Sequence, residues 1–176
     1  DKLTSLGIEY TGLFKDQNDR NNVKIITEGN LKIGILSYTY GSNYWTEEQM
    51  VEQSYVPIIV EKESVNFEKV KKDVLNDFQN LRKENPDVII VLPHYGTQFS
   101  HYKDSFQETW NEIFLNAGAD IILGDHSHSV QPIEIKKNVD GDEAVIVNCP
   151  GNFVNSYREF DGDATAIVEL YLDKYI

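Results

Sequence analysis

Little in this sequence can be cross-linked, and little of it can enter a bilayer or be drawn to a polyanion. Of its 176 residues a single one, Cys149, is cysteine, so no intramolecular disulfide holds the fold and the redox compartment stays open. No run reaches the roughly 18 consecutive apolar residues of a membrane span, and Asp1 to Thr4 carry no signal-peptide pattern. Positive charge is also scarce: 16 Lys and Arg stand against 29 Asp and Glu, a net charge of −13. Nucleic-acid backbones and anionic bilayers are repelled unless cations intervene, so no nucleic-acid partner is expected. Low-complexity sequence is absent too. What remains, 40% hydrophobic and 26% charged, is ordinary globular composition, and the length fits one domain or a large piece of one.

The apolar runs give the organisation. Val23 to Ile26 and Lys32 to Tyr38 are rich in β-branched residues and flank Glu28-Gly29-Asn30, which predicts a hairpin. From Asn66 to Glu84, Phe67, Val70, Val74, Phe78 and Leu81 recur at three- and four-residue steps, an amphipathic helix with Asn66 as N-cap and Pro86 beyond its end. It leads into Asp87 to Leu92, a continuous apolar run typical of a buried strand, and then into Pro93-His94-Tyr95-Gly96. The same events repeat. Phe106, Trp110, Ile113 and Phe114 make a helical stripe stopped by Gly118, followed by a strand over Ala119 to Leu123 and by Gly124-Asp125-His126-Ser127-His128. Ile133 to Lys136, Ala144 to Asn148 and Ala164 to Leu172 also read as strands, whereas Gly41 to Lys62, with Trp45 and Tyr55, reads as a long surface loop. The fold class is α/β.

Two helix-to-strand units thus end in histidines, where open α/β sheets usually assemble their ligand sites. Neutral imidazole is a common ligand for divalent transition metals, and in an extended segment His126 and His128 would project to the same side. Read as surface residues instead, the histidines would hydrogen-bond Asp120 or Asp125; the coincidence of both groups at equivalent strand ends favours metal. A two-metal site also needs anionic bridges. Neither Asp125, expected on the opposite face of an extended segment, nor Asp120, at the far end of its strand, supplies one. His101 lies in a polar loop, exposed or touching substrate. Asn152, in Gly151-Asn152-Phe153, either binds substrate, orients a ligand or belongs to a plain turn. Cys149 reads as a buried small hydrophobe, and there is no Ser-His-Asp order, phosphate-binding glycine loop or dinucleotide fingerprint.

Several of these motifs recur together in one family. Pro93 to Gln98, Gln107, Asn116 to Glu134 and Gly151-Asn152-Phe153, with Leu6-Gly7-Ile8, Thr11-Gly12 and Ile33 to Gly41, resemble the CapA family of poly-γ-glutamate capsule synthesis proteins, in order and through nearly the whole chain. That family is similar to calcineurin-like metallophosphoesterases. The resemblance implies part of an αββα sandwich with mixed sheets, metal-ligand roles for His94, His126 and His128, and two divalent ions (Mn, Fe or Zn) in the complete domain. It places Asn152 close to the site, and Gln98 and His101 are assigned with it to substrate contact. The departures are Tyr95 and Gln98, where the family usually has Trp and Glu, and Gly124-Asp125-His126-Ser127-His128, where many members read Gly-His-His-Pro-His. Family segments carrying further Asp, Glu, Asn and His ligands would precede Asp1, so residues 1–176 are expected to be the C-terminal portion of a single domain.

Two functions follow as expectations. One is a metal-dependent, metallophosphatase-like hydrolase acting on a phosphoester or an anionic polymer in poly-γ-glutamate capsule synthesis or export, at the extracellular face of the cell envelope. The other is a non-catalytic accessory subunit of a membrane-bound polymer synthesis complex, with Tyr44, Trp45, Tyr55 and Val56 as a contact surface or, alternatively, packed on their own domain. Half a sandwich leaves a sheet face uncovered, so the chain is expected either to self-associate or to be completed by the missing N-terminal segment. Size-exclusion chromatography with light scattering should show association in the micromolar range; a monomer with no partner fragment counts against it.

Overall fold

In the computed structural model, which describes residues 2–53, 55–156 and 162–172, the apolar runs assemble into one six-stranded sheet. The strands are β1 (Lys24–Glu28), β2 (Leu31–Thr39), β3 (Val88–His94), β4 (Ile121–Leu123), β5 (Ile133–Lys137) and β6 (Glu143–Val147). Their order is β1-β2-β3-β4-β6-β5, with the inner four parallel and an antiparallel strand at each edge. The hairpin expected at the start is present, with Lys24 opposite Ile35 and Glu28 opposite Leu31. The helices are α1 (Lys2–Ser5), α2 (Gln17–Asn21), α3 (Glu47–Gln53), α4 (Phe67–Lys83) and α5 (Ser105–Ala117).

The two long helices connect parallel neighbours, α4 from β2 to β3 and α5 from β3 to β4, so right-handed crossovers lay both on the same face of the sheet. Val70, Val74, Phe78 and Leu81 of α4 and Phe106, Trp110 and Phe114 of α5 are buried there, in one core with Leu36, Tyr38, Ile89, Val91, Ile122 and Ile146. Burying each large side chain is worth about 1.5–3 kcal/mol relative to exposure. α5 has the better-defined ends. Asp104 and Gln107 form a reciprocal capping box, and Gly118 closes the helix at φ 99°, a left-handed turn that disfavours any side chain. Asn66 does occupy the N-cap of α4, but its side chain donates to Glu47 Oε1 at 2.8 Å and makes no cap hydrogen bond.

Among the described residues no helix covers the opposite face. Ile33, Ile35, Ile90, Leu92, Leu123 and Val145 are half-buried, and Ile133 and Ile135 on the edge strand are 50% and 67% exposed. One helical layer and one mixed sheet are therefore seen, the α/β architecture expected of part of a sandwich.

Two sequence expectations are corrected. Residues 41–62 are not simply a surface loop: they contain α3, which buries Met50 and Val51, and a segment in which Ile58, Ile59 and Val60 are buried, Ile58 bridging Thr39 in parallel. The periodicity missed this because the segment packs by a single bridge and one short helix. Tyr44, Trp45 and Tyr55 remain exposed at its surface. Conversely, residues 164–172 form no strand; Thr165 makes one antiparallel bridge to Gly151, and Ile167 and Tyr171 are exposed. β-propensity there finds no neighbouring strand to pair with among the described residues.

The N-terminal segment is tied to the core by charge. Arg20 on α2 donates through Nε and Nη2 to the two oxygens of Asp77 on α4, at 3.0 and 2.7 Å, and Tyr38 Oη donates to Asp77 Oδ2 at 3.2 Å. Both charged side chains are over nine-tenths buried. Removing one member strands the other charge in the interior, so Asp77→Ala is expected to cost about 3–5 kcal/mol in urea unfolding. Replacing all three polar groups, as Arg20→Met with Asp77→Leu and Tyr38→Phe, should recover most of that loss, because no buried charge or hydroxyl is then left without a partner.

Candidate functional site

The parallel pairing of β3 and β4 sets Ile90 beside Ile121 and Val91 beside Ile122. Continuing that register past the strand ends brings His94 beside Asp125, where the chains form an isolated parallel bridge. Tyr95 N donates to Asp125 O and Asp125 N to Pro93 O, both at 3.1 Å. The two histidine groups are therefore held on adjacent strand ends by backbone hydrogen bonds.

Behind them lies a buried polar network. Tyr95, fully buried, donates its hydroxyl to Asn111 Oδ1 at 2.6 Å, and Asn111 donates to Asn148 Oδ1 at 2.9 Å. Burial of Tyr95 raises its pKa well above the ordinary phenol value, so it remains a donor. Gln107 donates to Gln131 Oε1 at 2.8 Å, and Gln131 in turn donates to the carbonyls of Ser100 and Tyr102. Gly96 sits at φ 98°, and a Cβ there would lie 2.5 Å from Gln107 Cδ. Among the described residues no buried side-chain polar atom lacks a partner. Both histidine loops are thus fixed from the core side.

In front of this network the rings meet. His94 Nε2 and His126 Nδ1 are 3.0 Å apart, with ring centroids separated by 4.5 Å. His128 is 6.3 Å from His126 between ring centroids. Tyr40 packs on both His126 and His94, at 4.6 and 6.0 Å, and Phe99 stacks on His128 at 5.5 Å.

Hydrogen bonds orient two of the rings. Asp125 Oδ1 lies 2.6 Å from His94 Nδ1; a carboxylate only accepts, so that nitrogen carries a hydrogen. Asn152 donates through Nδ2 to the carbonyls of His128 and Gly162, which leaves its Oδ1 to accept from His128 Nδ1 at 2.7 Å. His128 therefore also carries a hydrogen on Nδ1. Burial, and then the neighbouring His94 and His128, lower the pKa of His126, favouring the neutral ring that binds metals.

The structure brings together His94, His126, His128 and Asn152 as the sequence suggested, with Asn152 in an orienting position. Gln98 lies exposed on the turn before Phe99, and His101, also exposed, has Nδ1 3.2 Å from the Val130 carbonyl. One expectation is overturned. The segment 125–128 is not extended: His126 has φ 107° and His128 φ 61°, so alternation does not apply and Asp125 turns toward His94 rather than to the opposite face. Phe99 was signalled by no motif and Tyr40 lay in a quoted motif without a role, whereas Asp125, named as a possible hydrogen-bond partner of the histidines, does bond His94. Asp120 is at the far end as expected, accepting from Ile89 N and Asn138 Nδ2.

Among the described residues no group of three or more His, Cys, Asp or Glu side chains is arranged to hold a metal ion. What is present is a pair of facing ring nitrogens at hydrogen-bonding distance, His94 Nε2 and His126 Nδ1, and a third ring whose Nδ1 is bonded to Asn152.

Similarity to known proteins agrees with the motifs. The family described as bacterial capsule synthesis protein PGA_cap matches residues 1–157. The chain is 24% identical over 168 residues to the capsule biosynthesis protein CapA of Bacillus anthracis, covering 94% of this chain and 37% of that protein. It is 30% identical over 92 residues to the PGA biosynthesis protein CapA of Bacillus subtilis (strain 168), covering 52% of this chain and 23% of that protein. The chain therefore spans well under half the length of these curated relatives.

His126 occupies a backbone region that costs a non-glycine residue about 1–3 kcal/mol. His126→Gly should leave the thermal midpoint unchanged or raised, read by differential scanning calorimetry; a fall in the midpoint would show that ring packing outweighs the strain.

Proposed function

This chain belongs to the bacterial capsule synthesis protein family, and from that premise we propose that it is part of a metal-dependent, hydrolase-like domain serving poly-γ-glutamate capsule synthesis or export at the outer face of the cell envelope. The observation that carries the reading is the 3.0 Å approach of His94 Nε2 to His126 Nδ1, with the protons of His94 and His128 held away from the site by Asp125 and Asn152. His94, His126 and His128 would hold divalent ions of the Mn, Fe or Zn kind. When bound, such an ion supplies Lewis-acid polarisation of a phosphoryl or carbonyl oxygen. The chain's own contribution is placement. Asp125 and Asn152 set the ring orientations, Tyr40 and Phe99 shield the rings from one side, and the amide network holds the loops still.

The anionic ligands that a two-ion site requires would come from outside these residues, either from further sequence of the same protein or from another copy. The cation also answers an electrostatic difficulty, since a chain of net charge −13 would otherwise repel an anionic polymer or phosphoester. Among the described residues no helix is long and apolar enough to cross a membrane.

A second reading, a non-catalytic accessory subunit of an envelope polymer synthesis complex, is favoured by the incomplete donor set among the described residues. Alanine variants discriminate. In the full-length protein, His126→Ala and His128→Ala should remove stoichiometric bound metal and hydrolysis of a phosphomonoester or poly-γ-glutamate, with far-ultraviolet circular dichroism unchanged. Metal-free wild type whose function is indifferent to both substitutions would select the accessory reading.

A further inference from the structure

We propose that Asp125 is a positioning residue, one that holds His94 as the Nδ1–H tautomer and so aims the lone pair of Nε2 at His126. The inference rests on the metal-site reading and deepens the part which that reading gives to Asp125. Three observations support it. Asp125 Oδ1 and His94 Nδ1 are 2.6 Å apart, a short contact of the kind made to a charged acceptor. The Asp125 backbone is fixed on both sides by Tyr95 N and Pro93 O, so the carboxylate is delivered by the sheet register and not by a flexible arm. The Nε2 atom lies 3.0 Å from His126 Nδ1, so the hydrogen's position on His94 decides whether the second nitrogen donates or accepts there.

A carboxylate in this place does two things to an imidazole. It selects the tautomer, and it fixes the direction in which the ring points. Asn152 treats His128 in the same geometric way with a neutral oxygen. Asp125 is largely exposed, with 66% of its side chain accessible, and its replacement removes no core packing.

Long-range proton–nitrogen correlation spectra of the metal-free, nitrogen-15-labelled protein test the tautomer directly, and calorimetric titration with zinc tests its consequence. The wild type should show His94 protonated at Nδ1. Asp125→Ala should lose that preference and weaken zinc binding by about 10- to 100-fold, and Asp125→Asn, which keeps an accepting oxygen, should retain the tautomer with an intermediate affinity. A wild-type His94 protonated at Nε2, a tautomer unchanged in Asp125→Ala, or zinc affinity equal in wild type and Asp125→Ala would each overturn the proposal. If wild-type protein takes up no zinc, the metal reading fails, and the nitrogen spectra alone then decide the part played by Asp125.

Discussion

Everything at the candidate site depends on the in-register parallel pairing of β3 with β4. Two paired positions, Ile90 with Ile121 and Val91 with Ile122, are enough to place His94 beside Asp125 a turn of chain later. A one-residue slip would send each side chain to the other face of the sheet. The register is protected because both strands are central and one face of each is buried under α4 and α5, where Val91 and Ile122 are fully inaccessible. The hydrophobic core therefore acts on the site through alignment.

Much of this was legible in the sequence. Periodicity gave α4 and α5, continuous apolar runs gave β3 and β4, and their repetition put both histidine groups at the same end of the sheet. What escaped has physical causes. Alternation failed at residues 125–128 because His126 and His128 adopt left-handed backbone angles that the local sequence does not advertise. The strand-like composition of residues 164–172 meets only the Gly151 bridge and no neighbouring strand among the described residues, and the buried part of residues 41–62 depends on a long-range bridge to Thr39. The ring partners Tyr40 and Phe99 are set by tertiary packing, to which spacing is blind.

The sheet has two unlike faces. One is closed by helices, with aromatic contacts running from Tyr38 through Phe114 to Trp110. The other is apolar yet half-open, and His94 and Asp125 stand at its edge, beside a cleft of about 490 Å³ lined by Ser37, Thr39, Leu92 and Leu123. A layer placed over that face would meet His94 and Asp125 from the cleft, so whatever covers the open face also comes up against the rings.

The amide network behind the loops carries a different consequence. Tyr95, Asn111 and Asn148 satisfy one another in sequence, hydroxyl to amide oxygen and amide hydrogen to amide oxygen. A change at any one of them leaves a buried donor or acceptor unmatched, at about 1–3 kcal/mol, whereas a concerted change need not. Across descendants of a common ancestor these three positions should therefore drift as a block, and a tryptophan at position 95 should arrive with different residues at 111 and 148.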